Sequence, residues 1–199
     1  MKHLNKIFAG AAVLVLLTGC DLFKHSISHD GYQKKVDKLE KHQYAEANVR
    51  VKRDVTGTGM YAETAANTDD NGLFVWSEVG GWLAQDGADP LLAFSIVCLQ
   101  GKQIEEFYGK PDGDNLECKV TYYSNLELKT EITGLKTVET ADWTMNIRYT
   151  KYVTTYKFDK YGWLTRSEMI CESETTYTEG GTTQRGTQKD SSITEISYK

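Results

Sequence analysis

The sequence predicts an α+β fold in a single domain, with an antiparallel meander at its C-terminal end and two helices ahead of it. Three observations predict it. Long two-residue alternations run from Trp143 to Ile196, divided only by Asp159-Lys160-Tyr161-Gly162 and Glu179-Gly180-Gly181. Tyr32, Val36 and Leu39 recur at helical intervals among Lys34, Lys35, Asp37, Lys38, Glu40 and Lys41. The chain has only two prolines, so little interrupts a strand ladder.

In chain order, Asp30 is the expected N-cap of the first helix. Gln33 stands three residues on, at capping-box spacing, and the helix runs from Gly31 to about Ala47. One narrow apolar stripe cannot hold such a helix alone, so it should lie across a sheet. Val49, Val51 and Val55 then alternate with Arg50, Lys52 and Asp54 as a half-buried strand, ending near Gly57 and Gly59. Met60 to Ala66 reads as a returning strand closed by the turn cluster Thr68-Asp69-Asp70-Asn71-Gly72, and Leu73 to Trp76 as the core of a third. Asp89-Pro90 is a cap and first-turn pair. The dense apolar run Leu91 to Tyr108 behind it predicts a buried helix stopped by Gly109 and Pro111, with a buried strand through Leu91 to Leu99 as the competing assignment. From Leu116 the chain is strand-like. In its longest run Trp143, Met145, Ile147, Tyr149 and Val153 are expected on one face, and Tyr152, Tyr156 and Phe158 on the other.

Location is written in the first twenty residues. Lys2 and Lys6 precede the apolar run Ile7 to Leu17, about eleven residues and too short for a membrane span. Leu17-Thr18-Gly19-Cys20 follows directly. This order of charge, apolar run and cysteine resembles the bacterial lipoprotein signal, the lipobox. The resemblance implies cleavage before Cys20, lipidation of its thiol, and a protein held on the extracytoplasmic side of a membrane. Two or three acyl chains on one residue hold firmly where one is marginal. The expected layout is a signal peptide over 1–19, a lipidated tether over 20–30, and one domain over 31–199.

Loss of the signal removes Lys2 and Lys6 and leaves 21 basic against 28 acidic side chains, a net charge of −7. That balance argues against nucleic acid as a partner and against adhesion to anionic headgroups. The cysteines of the domain are Cys98, Cys118 and Cys171; one disulfide among them with one thiol left over is the simplest arrangement in an oxidising compartment. Their spacing fits no zinc pattern, and His25 and His29 lack a carboxylate at fixed spacing, so no metal and no cofactor is expected. Asp69-Asp70-Asn71 and Asp112-Gly113-Asp114-Asn115 lack the spacing and closing glutamate of a calcium loop. No nucleophile-and-base pattern or phosphate loop is present, which points away from catalysis.

A lipobox, a short tether, an amphipathic helix running into strands, an apolar middle helix and a closing meander together resemble the unclosed β-barrel of the bacterial lipoprotein carriers. That fold is shared by the lipoprotein-localisation carrier and the mycobacterial lipoproteins that hold glycolipids. The resemblance implies a sheet curved around apolar helices, with room between them for a lipid-like ligand. Trp143, Met145, Tyr149, Trp163 and Met169 are the large, adaptable side chains that suit the lining of such a pocket. The alternative is a surface lipoprotein whose sheet edges meet a protein partner.

Overall fold

Alternation along the chain is realised as one antiparallel sheet, which the computed structural model describes over residues 24–102 and 115–199. Its strands are β1 (Ser26–Ile27), β2 (Glu46–Gly59), β3 (Ala66–Ser77), β4 (Gly81–Gln85), β5 (Leu116–Tyr123), β6 (Leu128–Glu139), β7 (Trp143–Phe158), β8 (Leu164–Glu179) and β9 (Thr182–Tyr198). The order across the sheet is β1-β5-β6-β7-β8-β9-β2-β3-β4, so it stays unclosed, with short edge strands β1 and β4. The meander β7-β8-β9 forms as its alternation and turns predict.

Residues directly opposite in an antiparallel ladder share a face. One face, the inner one, carries Tyr122, Leu128, Leu164, Ile196, Ala47, Val49 and Phe74, all buried in one core cluster. These residues lie from one side of the sheet nearly to the other yet touch a common core, which requires the sheet to curve around it. The core occupies the lower end, where the turns Asp159–Gly162 and Ser124–Glu127 lie. The upper end holds the turns after Glu139, Glu179 and Gly59.

Helix α1 (His29–Val36) closes the core by burying Tyr32 and Val36, as its stripe predicts. Both its ends differ from expectation. Ser28 is the N-cap, its Oγ accepting from the Gly31 N–H at 3.1 Å, and the helix stops at Val36, before the polar run Asp37-Lys38. The expected tether over 20–30 is likewise ordered from Lys24 onward: β1 pairs with β5, and Ile27 packs on the core.

The predicted helix from Leu91 is a 3-10 helix over Pro90–Ser95, capped by the Asp89 carboxylate at the Leu91 N–H. Ile96 is extended, and the next residues pair with the β7–β8 turn: Leu164 N–H to Val97 O and Leu99 N–H to Gly162 O, each 2.9 Å. Extension lets Ile96 and Leu99 bury their side chains while their neighbours keep backbone partners, so the strand alternative describes 96–99. Residues 100–102 form a turn rather than helix, and the rest of the expected helix lies outside the described residues, as do Cys20 and the Asp112-Gly113-Asp114 segment.

Thr68 to Gly72, read as a turn, is the body of β3, while residues 60–65 make the turn. Asp69 is stabilised there by two 2.7 Å bonds from Arg50 on β2. Cross-strand charge pairing thus overrides turn propensity.

Candidate functional site

Above the core, the inner face continues on β7, β8, β9 and β2, and among the described residues no helix covers it. A register shift between Tyr149 and Lys151 marks a β-bulge in β7. The extra residue moves Tyr152, Thr154 and Tyr156 onto the face that carries Ile147 and Tyr149, which corrects the two-faced assignment made from strict alternation. Tyr149 and Tyr152 consequently meet, with ring centroids 5.4 Å apart. The polar pair Thr150-Lys151 between two tyrosines is the trace this leaves in the sequence.

Opposite them on β8 stand Met169, Cys171, Ser173 and Thr175, and beyond these Gln188 and Asp190 on β9. The turn after β2 folds back over the face. Tyr61 packs across Gly57 and Gly186, where any Cβ would collide with it, and its hydroxyl donates to Thr175 Oγ1 at 3.2 Å. Between Tyr61 above and the core below lies an open depression of about 220 Å³ lined by Ile147, Tyr149, Tyr152, Met169 and Cys171, among others. Tyr149, Tyr152, Met169 and Cys171 stand outside the core cluster and are partly exposed.

The wall of this depression is electrically quiet. Burial first, then the Asp190 and Glu172 carboxylates, push the Cys171 thiol up to about 11, which keeps it protonated and non-nucleophilic at neutral pH. Burial also raises the Tyr149 and Tyr152 hydroxyls. Asp190 is neutralised by a two-bond pair with Arg53, at 2.6 and 3.1 Å. Ring faces, a thioether and hydroxyl donors remain, a surface suited to an apolar body with a few polar groups.

Of the five side chains expected to line a pocket, Tyr149 and Met169 do so. Trp163 does not. It is 7 % exposed in the core, its Nε1–H donates to His42 O at 2.8 Å, and it packs with Trp82 and Tyr198. Trp143 and Met145 lie higher on the same face, where Trp143 meets Tyr177. Sequence reasoning missed Tyr152, Cys171 and Tyr61 as members of the site.

The disulfide expected among Cys98, Cys118 and Cys171 is not formed; all three are free thiols. Cys118 on β5 and Cys171 on β8 are three strands apart, about 14 Å at the usual spacing, against an upper limit of about 7 Å between bridged Cα atoms. Cys98 sits at the lower end, bridged to Trp163. Burial raises all three thiols. Among the described residues no group of three or more His, Cys, Asp or Glu side chains could hold a metal ion, and no helix is long and apolar enough to cross a membrane. A larger depression of about 570 Å³ lies on the outer face, but Arg50 and Asp69 neutralise each other there and most of its lining is polar.

Comparison of the chain with protein-family models, with curated proteins and with solved structures finds no match.

Proposed function

We propose that the protein is a lipid-anchored, extracytoplasmic binding protein that takes a hydrophobic or amphipathic ligand on the inner face of its sheet. The observation that carries this reading is the partly exposed aromatic and thioether surface of Tyr149, Tyr152 and Met169, which lines an open depression continuous with the face that carries the core. Leaving such groups partly exposed forgoes burial worth roughly 25 cal/mol per Å² of apolar surface, which an apolar ligand restores. The anchor rests on Leu17-Thr18-Gly19-Cys20 alone.

One experiment separates the two claims. Cells expressing the full chain are fed a fatty acid carrying a diazirine and an alkyne. Light-independent label at Cys20, lost in Cys20→Ala, reads the anchor. Light-dependent label on the peptides holding Tyr149, Tyr152 or Met169 reads the ligand site, and Met169→Asp should reduce it at least tenfold. Label confined to Cys20 would overturn the ligand site; equal labelling of Cys20→Ala would overturn the anchor.

A second reading is favoured by a separate observation. Beside the edge strand β4, Val79, Phe94 and Leu91 are 100, 82 and 67 % exposed, and Leu83 on β4 itself is 46 % exposed. An edge strand flanked by apolar side chains suits an extended segment of a partner protein adding to the sheet. A photo-crosslinker at position 94 should then give one discrete protein adduct that a Leu83→Pro change in β4 removes.

A further inference from the structure

The lower end of the domain carries a feature that the ligand site does not use. A depression of about 540 Å³ is lined by Lys35, Lys38 and Lys160 around Leu39, Leu126 and Phe158. Among the described residues neither Lys35 nor Lys38 has a carboxylate within ion-pair distance, and all three lysines are exposed. Lys160 rests over the Tyr161 ring at 4.7 Å, with Glu40 and Asp159 contributing to its field. The carboxylate in the lining, Asp159, is turned into its own turn. Its Oδ1 accepts from the Tyr161 and Trp163 N–H groups, each at 2.9 Å, and its Oδ2 accepts from the Tyr44 hydroxyl at 2.7 Å. Three ammonium groups thus surround an apolar floor in a chain whose overall balance is acidic.

The path of the N-terminal chain says what this end faces. The Ser124 N–H donates to His25 O at 3.0 Å, and Ser124 and Asn125 line the same depression. Cys20 is five residues before His25 in sequence, so a fully extended chain sets the lipidated thiol no more than about 18 Å from it. On the anchored reading above, on which this inference rests, the chain at His25 beside the lysine-rimmed end is held within about 18 Å of the lipidated residue, close enough for that end to reach the headgroups.

We propose that Lys35, Lys38 and Lys160 seat the anionic phosphate headgroups of the membrane in which the protein is anchored, with the partly exposed Leu39 and Leu126 meeting the first methylenes beneath them. The net charge of the chain conceals a local balance of the other sign, since residues 34–41 carry four lysines against Asp37 and Glu40. Lysines at an anionic surface each favour contact about fivefold, and the effect is confined to about 10 Å at 0.1 M salt. The contact fixes which end of the sheet points at the bilayer and leaves the inner-face depression open on the far side of the core.

The test uses the full chain with vesicles of phosphatidylcholine alone and with 30 % phosphatidylglycerol. Flotation reads the anchor, and acetylation of individual lysines, followed by mass spectrometry, reads the seat. Lys35, Lys38 and Lys160 should be protected at least fivefold by the anionic vesicles relative to the neutral ones, with Lys136 and Lys189 unchanged and the protection lost at 0.5 M salt. The combined variant Lys35→Glu, Lys38→Glu, Lys160→Glu alters exposed side chains only and should lose the dependence on phosphatidylglycerol. A chain that floats with both vesicles while its three lysines acetylate alike overturns the seat and leaves the anchor standing. Flotation with anionic vesicles alone, with those lysines protected, keeps the seat and overturns the anchor. Equal protection by inorganic phosphate without vesicles overturns the membrane as occupant.

Discussion

The lower and upper halves of the inner face are built from the same strands and obey the same alternation, yet one is a core and the other a surface. Below, Leu128, Phe74 and Leu99 are wholly buried under α1 and the extended segment Ile96–Leu99. Above, the corresponding positions hold Tyr149, Tyr152, Met169, Cys171, Ser173 and Gln188, which among the described residues the Tyr61 turn overlies. The difference lies in what arrives from elsewhere in the chain to cover the sheet, and side-chain chemistry follows it. Aliphatic and aromatic side chains pack together where a second layer exists, and small polar residues such as Ser173, Thr175 and Gln188 join the aromatics where it does not.

Truncation measures the contrast most directly. Leu128→Ala empties space in a sealed core and should cost about 2–5 kcal/mol of unfolding free energy in denaturant titrations. Met169→Ala removes a side chain that is already partly exposed and should cost under about 1 kcal/mol. Comparable losses at the two positions would mean that the upper half is packed as tightly as the lower and has no room for a ligand. The Tyr61 turn, which covers part of the upper half, gives a smaller effect. A Cβ on Gly186 would stand 2.7 Å from Met60 Cγ and 2.9 Å from Tyr61 Cδ2, so Gly186→Ala should lift the Tyr61 turn. The expected cost is about 1–3 kcal/mol, and faster amide exchange confined to residues 58–62 would locate it.

Much of the lower half was legible because its signals are local. Asp89-Pro90 reads as a cap, Tyr32 and Val36 as a buried stripe, and Asp159–Gly162 as a turn from adjacent residues alone. What escaped depends on partners distant in sequence. Thr68 to Gly72 carries turn-forming side chains, and the ladder with β2, with Arg50 and Lys52 facing Asp69 across it, keeps it a strand. Residues 96–99 are apolar enough for either helix or strand, and the backbone of residues 162–164 settles the choice. The same holds for the site. Tyr149 and Tyr152 are three apart in sequence and share a face only because of the bulge at Thr150, while Trp163, similar in composition to the other candidates, lies on the covered side of the divide.

Within the lower half, the turn below the core offers a weaker probe than truncation. The Tyr44 hydroxyl donates to Asp159 Oδ2 at 2.7 Å, and Tyr44→Phe should cost about 1–2 kcal/mol. The variant also strips one of three donors from Asp159, which lines the lysine depression, so the anionic-vesicle protection of Lys160 should weaken without vanishing. Unchanged stability in thermal melts would show that solvent replaces the bond without cost.

The smallest effect concerns Cys171, and it tests whether the upper half is a desolvated surface or an open one. Burial is the first cause of its raised thiol, at about 11, and the carboxylates of Asp190 and Glu172 follow. Because the folded value lies above the ordinary thiol value of about 9, the unfolded chain releases its proton first as pH rises. The contribution of Cys171 to stability is therefore complete below pH 9 and declines from there toward pH 11. Alkylation by iodoacetamide at pH 8, followed by peptide mass spectrometry, should be roughly a hundredfold slower at Cys171 than in the denatured chain. Asp190→Asn should speed it only a few-fold, since the larger cause remains. A rate matching the denatured chain would place water against the Sγ, and the depression would then be a wet groove with little to offer an apolar ligand.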